Sequence, residues 1–164
     1  MEVCCVVKSH AVKSWSKIVL ALHAAGVQSQ EMLVKQPHEI PAGLMAAFYA
    51  EHEGRPYYER LVRSVSGPLV FIAARTKDLP AARLAIGPTD PEQARESMPE
   101  SIRAVFGTEL PHNAVHLSDG AESAARELAL LRKHGMLSKG PTVGLEPRTT
   151  NAEEEDEVQL PPLE

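Results

Sequence analysis

Two short segments of this 164-residue chain are apolar at every position, and they limit the possible folds more than any other feature. They read VCCVV at residues 3–7 and LVFIAA at residues 69–74. A strand with one face in water alternates apolar and polar residues, whereas a continuous apolar run predicts a strand buried on both faces. The chain is therefore expected to form a layered structure in which helices cover a sheet.

Helical patterns alternate with strand patterns along the chain. The predicted elements are helix 16–25 with Gly26 as its C-terminal cap, strand 27–36, helices 41–52, 57–65, 79–84 and 101–106, a turn at GPTDP, a short strand at His116 and a helix after it. Strands separated by helices in this order predict an α/β (α+β) fold. The core is expected to be a ferredoxin-like βαββαβ sandwich, with a four-stranded antiparallel sheet covered by helices.

The negative charge of the chain is concentrated at its C-terminal end. The formal net charge is -5, and residues 151–164 contain six acidic residues and no Lys or Arg. The remainder carries about +1, so any phosphate site must be built from a few placed cations, and a nucleic-acid surface is not expected. The change of composition after about residue 134 predicts a domain at 1–137 followed by a tail at 138–164, either disordered or a docking segment.

The cysteines and the hydropathy pattern predict the compartment. Cys4 and Cys5 are adjacent, which suits neither a disulfide framework nor a zinc site and is typical of a reducing compartment. No segment reaches the length of a membrane span, and the first residues do not read as a secretory signal. A cytoplasmic protein without a membrane partner is expected.

His116 stands where a strand pattern changes into an amphipathic helix, in the segment NAVHLSDGAE. Such a junction holds a side chain rigidly at the edge of a sheet, close to helix N–H groups that attract anions. Asp119 is expected to cap the helix, with Glu122 completing a capping box. A phosphate-handling histidine and an ordinary loop histidine both fit this position.

Glu127 lies beside the apolar stripe of the same helix. Its carboxylate could accept a hydrogen bond from one imidazole nitrogen and leave the other as a nucleophile, although a helical Glu is more often simply solvated. Three cations have phosphate-like surroundings: Lys8 at the end of the first strand, Arg55 in EGRPYY and Arg103 in SIRAVF. The chain contains no Walker loop.

Five segments resemble the nucleoside diphosphate kinase family in order and approximate spacing. They are FYAEHEGRPYYERLV, SGPLV, RLAIGPTDPEQARE, SIRAVFGTE and NAVHLSDGAESAARE. The resemblance runs from about residue 3 to residue 131. The segments CCVVKSHAV and GPTDPEQAR look most like the axonemal (group II) branch of that family.

The resemblance implies a role for individual residues. His116 corresponds to the phosphohistidine nucleophile and Glu127 to the carboxylate that fixes its ring. The implied catalytic set is His116, Glu127, Lys8, Tyr49, Asn113 and Ser118. The implied nucleotide-binding set is Lys8, Arg55, Tyr57, Leu61, Arg83, Thr89, Arg103, Leu110 and Asn113. Tyr57 would stack on the base, and Mg²⁺ would be held mainly by the nucleotide phosphates.

Two classes of function follow from the resemblance. In the first, the chain transfers the γ-phosphoryl group of ATP or another NTP to an NDP by a ping-pong mechanism through His116. In the second, it is a weak or inactive kinase-fold module with a structural or regulatory role in a ciliary or axonemal assembly. Axonemal or microtubule-associated proteins would then be its partners, in the cilium or flagellum, and a homo-oligomer fits either class.

Two residues depart from the family pattern beside expected site residues. Leu117 follows the nucleophile where Gly is common, which predicts strain if the position requires a positive φ. Ser9 stands in place of a rigid Pro after Lys8, which predicts a looser loop there. Both departures weaken the prediction that the chain is an active kinase.

Overall fold

A computed structural model describes residues 1–138 of the chain. The strands are β1 (Glu2–Val7), β2 (Val27–Lys35), β3 (Leu69–Thr76) and β4 (Val115–Leu117). The helices are α1 (Trp15–Ala24), α2 (Leu44–Phe48), α3 (Tyr58–Ser64), α4 (Leu79–Ile86), α5 (Pro91–Ser97), α6 (Ile102–Phe106) and α7 (Ala121–Lys133). Short 3-10 segments occupy Ser9–Ser14, Pro37–Glu39 and Ala50–His52.

The four strands form one antiparallel sheet in the order β2-β3-β1-β4. This order and the alternation of strands with helices confirm the ferredoxin-like βαββαβ fold. The register places Val6 opposite His116, and β1 ends one residue before Lys8. The sheet therefore brings the first cation of the sequence prediction to the edge that carries His116.

Both faces of the sheet are covered, as the two apolar runs predicted. Val3, Cys5 and Val7 belong to one core with residues of α1, α4 and α6. Cys4 and Val6 belong to a second core with residues of α2, α3 and α7. Because alternate side chains of a strand point to opposite faces, β1 needs apolar residues at every position.

The helix predicted at residues 41–52 is shorter and broken. Gly43 has φ +80 in the left-handed region, so α2 begins at Leu44, after the turn opened by Pro41. Beyond α2 the chain continues as the separate 3-10 segment Ala50–His52. The predicted helix was wrong at its start because a left-handed residue cannot lie inside an α-helix, and it is broken at Tyr49, whose φ of -97 and ψ of 21 separate α2 from the 3-10 segment.

The predicted capping box of α7 was also wrong. Gly120 is the N-cap, one residue after Asp119, and its N–H donates to the hydroxyl of Ser123 at 3.1 Å. Ser123 therefore does the work expected of Glu122. Asp119 accepts from the Ser123 hydroxyl at 2.5 Å, and this hydrogen bond lowers the pKa of its carboxyl.

Helix α5 was missed in the sequence, where GPTDP was read as a turn. Asp90 caps α5 by accepting from the N–H of Glu92, and Pro91 is its first residue. An Asp-Pro pair is a common start of a helix, so the signal was present. The predicted tail, apart from Ser138, lies outside the described residues.

Within residues 1–138, no helix has the length and apolar character that crossing a bilayer requires.

Gly87 is a position at which we expect an unusually costly substitution. Its φ is +92 with ψ 176, a conformation that is nearly confined to glycine, and an added Cβ would overlap the Ser101 hydroxyl. Gly87→Ala should lower the free energy of unfolding by about 3 kcal/mol or more, measured by urea denaturation. Gly26→Ala is the matched control, because Gly26 has φ +83 and open space around it. The control should cost only about 1–2 kcal/mol, and equal losses would contradict the packing argument.

Candidate active site

A cavity of about 480 Å³ opens where β4 meets α7 and the loops around α3. Its size is in the range of small-molecule sites. The charged side chains that line it are Lys8, Arg60, Arg83, Arg103, Arg126, Glu51, Asp119 and Glu127. Cations outnumber carboxylates, so the cavity favours an anionic ligand even though the folded part of the chain is nearly neutral.

His116 and Glu127 face each other at this cavity. Nε2 of His116 lies 2.7 Å from Oε2 of Glu127, although the two groups are not aligned as a linear hydrogen bond. Glu127 is 3% exposed, and its Oε1 accepts from the Ser118 hydroxyl at 2.6 Å. A carboxylate beside Nε2 leaves Nδ1 as the ring nitrogen available to a ligand.

The aromatic rings of Phe48, the last residue of α2, and Tyr49, the residue after it, fix the plane of the His116 imidazole. The Phe48 and Tyr49 rings pack against the His116 ring edge-on, with centroids 5.0 Å and 6.0 Å away. The Tyr49 hydroxyl is buried and has no hydrogen-bond partner in the described part of the chain. Burial, and next the Glu127 carboxylate, raise the pKa of this hydroxyl, so it remains a donor at neutral pH.

Three cations are held by neutral backbone oxygens. The Arg103 guanidinium donates to the carbonyls of Gly87 at 3.1 Å and Val115 at 3.0 Å, and Arg83 donates to the Leu117 carbonyl at 3.0 Å. Lys8 Nζ lies 3.3 Å from the Pro111 carbonyl. Burial lowers the pKa of Lys8 to about 7, with a smaller contribution from the charge of Arg103.

Other buried polar atoms of cavity-lining residues also lack partners within residues 1–138. Asn113 donates from its amide nitrogen to the Thr89 carbonyl at 2.9 Å, but its Oδ1 has no partner. Nε of Arg103 is likewise unpaired. Buried polar groups normally find partners, so this cluster is suited to a polar ligand with several oxygens.

Apolar and aromatic residues form the outer end of the cavity. Tyr57 is 47% exposed, and its hydroxyl lies 2.8 Å from Nδ1 of His52. Leu61 and Leu110 line the same end. An exposed ring next to apolar side chains can stack on a flat ring system such as a nucleobase.

Most residues implied by the resemblance line the cavity together. The residues in this position are Lys8, Tyr49, Tyr57, Leu61, Arg83, Thr89, Arg103, Leu110, Asn113, His116 and Glu127. Ser118 is fully buried behind Glu127, where its hydroxyl accepts the Cys4 N–H at 2.9 Å. Arg55 is exposed and does not line the cavity.

Leu117 does not have the positive φ that would strain it. It lies in β4 opposite Cys5 and is buried. Ala114 is instead the non-glycine residue with a positive φ, 71, within residues 1–138.

Several cavity residues were missed in the sequence. Arg126 precedes Glu127 and donates to the Phe48 carbonyl at 3.2 Å and to Glu51 at 2.7 Å. Arg60 follows Tyr57 by three residues, which places both on one side of a helix turn. Helical spacing from Tyr57 was the available signal for Arg60, whereas Arg126 had no such signal because adjacent residues of a helix do not share a face.

The described residues contain no group of three or more His, Cys, Asp or Glu side chains suited to hold a metal ion. The three cavity carboxylates, Glu51, Asp119 and Glu127, do not converge on one point. A divalent cation in this cavity would need most of its ligands from a bound anion.

The comparison with family models assigns this chain to one family. The model of the nucleoside diphosphate kinase family matches residues 2–135. Thioredoxin domain-containing protein 6 of Mus musculus is 40% identical over 121 residues, which is 70% of this chain and 36% of the mouse protein. Nucleoside diphosphate kinase of Rhodococcus jostii is 44% identical over 96 residues, which is 57% of this chain and 68% of that protein. The chain thus spans about a third of the length of the mouse relative.

Solved structures show the same fold. The crystal structure of Aquifex aeolicus nucleoside diphosphate kinase superposes with a TM-score of 0.69 and 35% identity, over 79% of this chain and 93% of that one. A halophilic nucleoside diphosphate kinase from Halobacterium salinarum, solved in complex with CDP, gives a TM-score of 0.67 and 29% identity over 79% of this chain and 86% of that one.

The lowered pKa of Lys8 predicts a pH dependence for anion binding. With its pKa at about 7, Lys8 in the free protein loses its charge as the pH rises above 7, so the binding of a phosphate must return a proton to Lys8. The dissociation constant of ADP should therefore rise between about pH 7.5 and pH 9, by at most about tenfold per pH unit. Isothermal titration calorimetry at constant ionic strength measures this dissociation constant at each pH.

Lys8→Arg is the matched control for this experiment, since a guanidinium stays charged over the whole range. Its ADP affinity should change little between the two pH values. A flat profile for the unsubstituted protein would show that Lys8 is not the titrating group.

Proposed function

The chain belongs to the nucleoside diphosphate kinase family, and on that premise we propose that it transfers the γ-phosphoryl group of a nucleoside triphosphate to a nucleoside diphosphate through His116. The observation that carries the proposal is the contact of His116 with the buried Glu127 carboxylate in a cavity rich in cations. The proposal is supported by an imidazole, a carboxylate beside it and several cations in one cavity.

The first half-reaction places the γ-phosphate in line with Nδ1 of His116. A bond forms between Nδ1 and phosphorus while the bond to the β-phosphate oxygen breaks, and the nucleoside diphosphate leaves with that oxygen. The Glu127 carboxylate beside Nε2 stabilises the positive charge that the ring gains. A second diphosphate then takes the phosphoryl group in the same cavity, which gives ping-pong kinetics.

Lys8, Arg83 and Arg103 are the cations placed to stabilise the phosphates. The Tyr49 hydroxyl would donate to a phosphate oxygen, and Oδ1 of Asn113 would accept from a ribose hydroxyl. Mg²⁺, when bound with the nucleotide, would be held mainly by the nucleotide phosphates and would supply further neutralisation of their charge. Phosphoryl transfer needs positioning and charge stabilisation more than covalent help, and this arrangement offers both.

The outer end of the cavity is suited to the base. Tyr57 would stack on it, between Leu61 and Leu110. An aromatic face accepts any base, so we expect several nucleotides to be used.

A second candidate is a nucleotide-binding module with a structural or regulatory role and weak turnover. This candidate is favoured by the coverage of two relatives named as thioredoxin domain-containing proteins. The chain corresponds to about a third of the length of each. The axonemal branch, a ciliary location and axonemal partners stay predictions from the sequence resemblance. Turnover that depends on His116 separates the two candidates.

Incubation with γ-³²P-ATP and Mg²⁺ should label the protein with an acid-labile phosphate. Added GDP should remove the label and form labelled GTP, because the phosphoryl group is transferred in two steps. Scintillation counting of protein and nucleotide fractions measures both. His116→Ala should abolish labelling, whereas His134→Ala, which changes an exposed histidine at the end of α7, should leave it intact. Absence of label in the folded protein would support the second candidate.

Glu127→Gln should lower kcat by about 10–100-fold with little change in the KM for nucleotide. The amide keeps the shape of the carboxylate but removes the charge that lies beside His116. Glu51→Gln is the control, because Glu51 is 55% exposed and pairs with Arg126 at the cavity mouth. Steady-state kinetics should show that the control stays within about threefold of the unsubstituted protein.

A further inference from the structure

His10 lies outside the cavity but is bonded to the backbone that carries two of its residues. The Ala114 N–H donates to Nε2 of His10 at 3.1 Å, and the Lys8 N–H donates to the Ala114 carbonyl at 2.8 Å. Both backbone polar groups of Ala114 are thus bound by the segment that follows β1. This segment also provides the Lys8 ammonium to the cavity.

Ala114 has the conformation that most needs such support. Its φ is +71, it is fully buried, and it lies between Asn113 and the first residue of β4. A non-glycine residue keeps a left-handed backbone only where its surroundings fix it. Strained residues of this kind are concentrated at functional sites.

The contact requires one form of the His10 ring. Because Nε2 accepts a hydrogen bond, it carries a lone pair, and the proton of the neutral ring resides on Nδ1. Burial, then the neighbouring His112 ring and the Lys8 charge, lower the pKa of His10 to about 4, so the neutral ring predominates at neutral pH. The His112 ring packs edge-on at 5.1 Å and holds the imidazole in place.

We propose that His10 is a positioning residue for phosphoryl transfer, which holds the left-handed turn at Ala114 so that Lys8 meets the phosphates of the nucleotide and Oδ1 of Asn113 meets a ribose hydroxyl. The side chain touches no substrate. It acts through the backbone of Ala114, two residues before His116. This inference rests on the proposed function for its kinetic consequence, but the positioning of phosphate-binding residues is testable by binding alone.

The test compares two side chains of similar length. His10→Gln places an amide oxygen close to the position of Nε2 and keeps an acceptor for the Ala114 N–H. His10→Met places a methyl group at the same position, and a methyl group cannot accept the Ala114 N–H. Both variants lose the imidazole and its packing on His112, so a difference between them reports the hydrogen bond rather than the ring.

We expect His10→Met to weaken ADP binding by about tenfold and to lower kcat/KM by about 10–100-fold, and His10→Gln to stay within about threefold of the unsubstituted protein in both. Calorimetry gives the affinity and steady-state kinetics the rate, each corrected for the folded fraction from circular dichroism. Equal behaviour of the two variants would overturn the proposal.

A second measurement does not depend on activity. In ¹⁵N-labelled protein, the ring nitrogens of His10 should show the Nδ1–H tautomer at pH 7, and the Ala114 amide should exchange faster with solvent in His10→Met than in His10→Gln. An Nε2–H tautomer would also overturn the proposal. If ADP binding follows this pattern while the unsubstituted protein forms no phosphohistidine, the proposed function fails and the positioning role stands.

Discussion

The burial of the Glu127 carboxylate is the constraint on which the geometry of the site depends. Removing an isolated charge from water costs on the order of 5 kcal/mol or more. Hydrogen bonds or opposite charges must compensate this cost. Here the Ser118 hydroxyl and the His116 ring lie within 2.7 Å of its two oxygens. Ser118 in turn accepts the Cys4 N–H, so the carboxylate is tied to the central strand β1. The orientation of the imidazole is therefore set by the most deeply buried part of the fold.

The register of β1 explains why residues distant in sequence meet at one cavity. Val6 pairs with His116, and the chain leaves the strand at Lys8, next to Ala114. A slip by one residue would exchange the two cores that β1 separates, because its side chains alternate between them. Because β1 is apolar at nearly every position, a slipped strand would still bury apolar side chains on both faces, so hydrophobicity alone does not select the register. Specific bonds, such as Cys4 to Ser118 and Arg132 to Glu2 at 3.0 Å, distinguish the observed register.

The elements that could be predicted from the sequence are those whose signal lies within a few neighbouring residues. The two apolar runs predicted the central strands, and Gly26 predicted the end of α1. The Asp90–Pro91 start of α5 was a local signal that was overlooked. The left-handed conformation of Gly43 left no mark beyond the residue type, which is why α2 was predicted too long.

For the site, the sequence alone gave His116 and Glu127 only as plausible partners, and the family resemblance supplied most of the remaining set. Arg55 was carried over with that set, yet its side chain lies outside the cavity. Ala114 has a left-handed conformation, and its hydrogen bond to His10 joins residues 104 positions apart. No periodicity or local motif encodes such a contact, so the positioning role of His10 required the structure. The same is true of Arg126, whose partners on α2 and beyond are brought to it by the packing of α7.

The way in which the cations are held explains how a cavity with carboxylates can still receive phosphate. Lys8, Arg83 and Arg103 are bonded to backbone carbonyls, which orient them but carry no net charge to cancel theirs. Arg126, in contrast, is paired with Glu51 at the mouth, so its charge is largely neutralised. Groups that are oriented before the ligand arrives need little reorganisation when charge develops on it. The interior of the cavity thus keeps three cations against the carboxylates of Asp119 and Glu127, and the ion pair at its mouth adds little to this excess of positive charge.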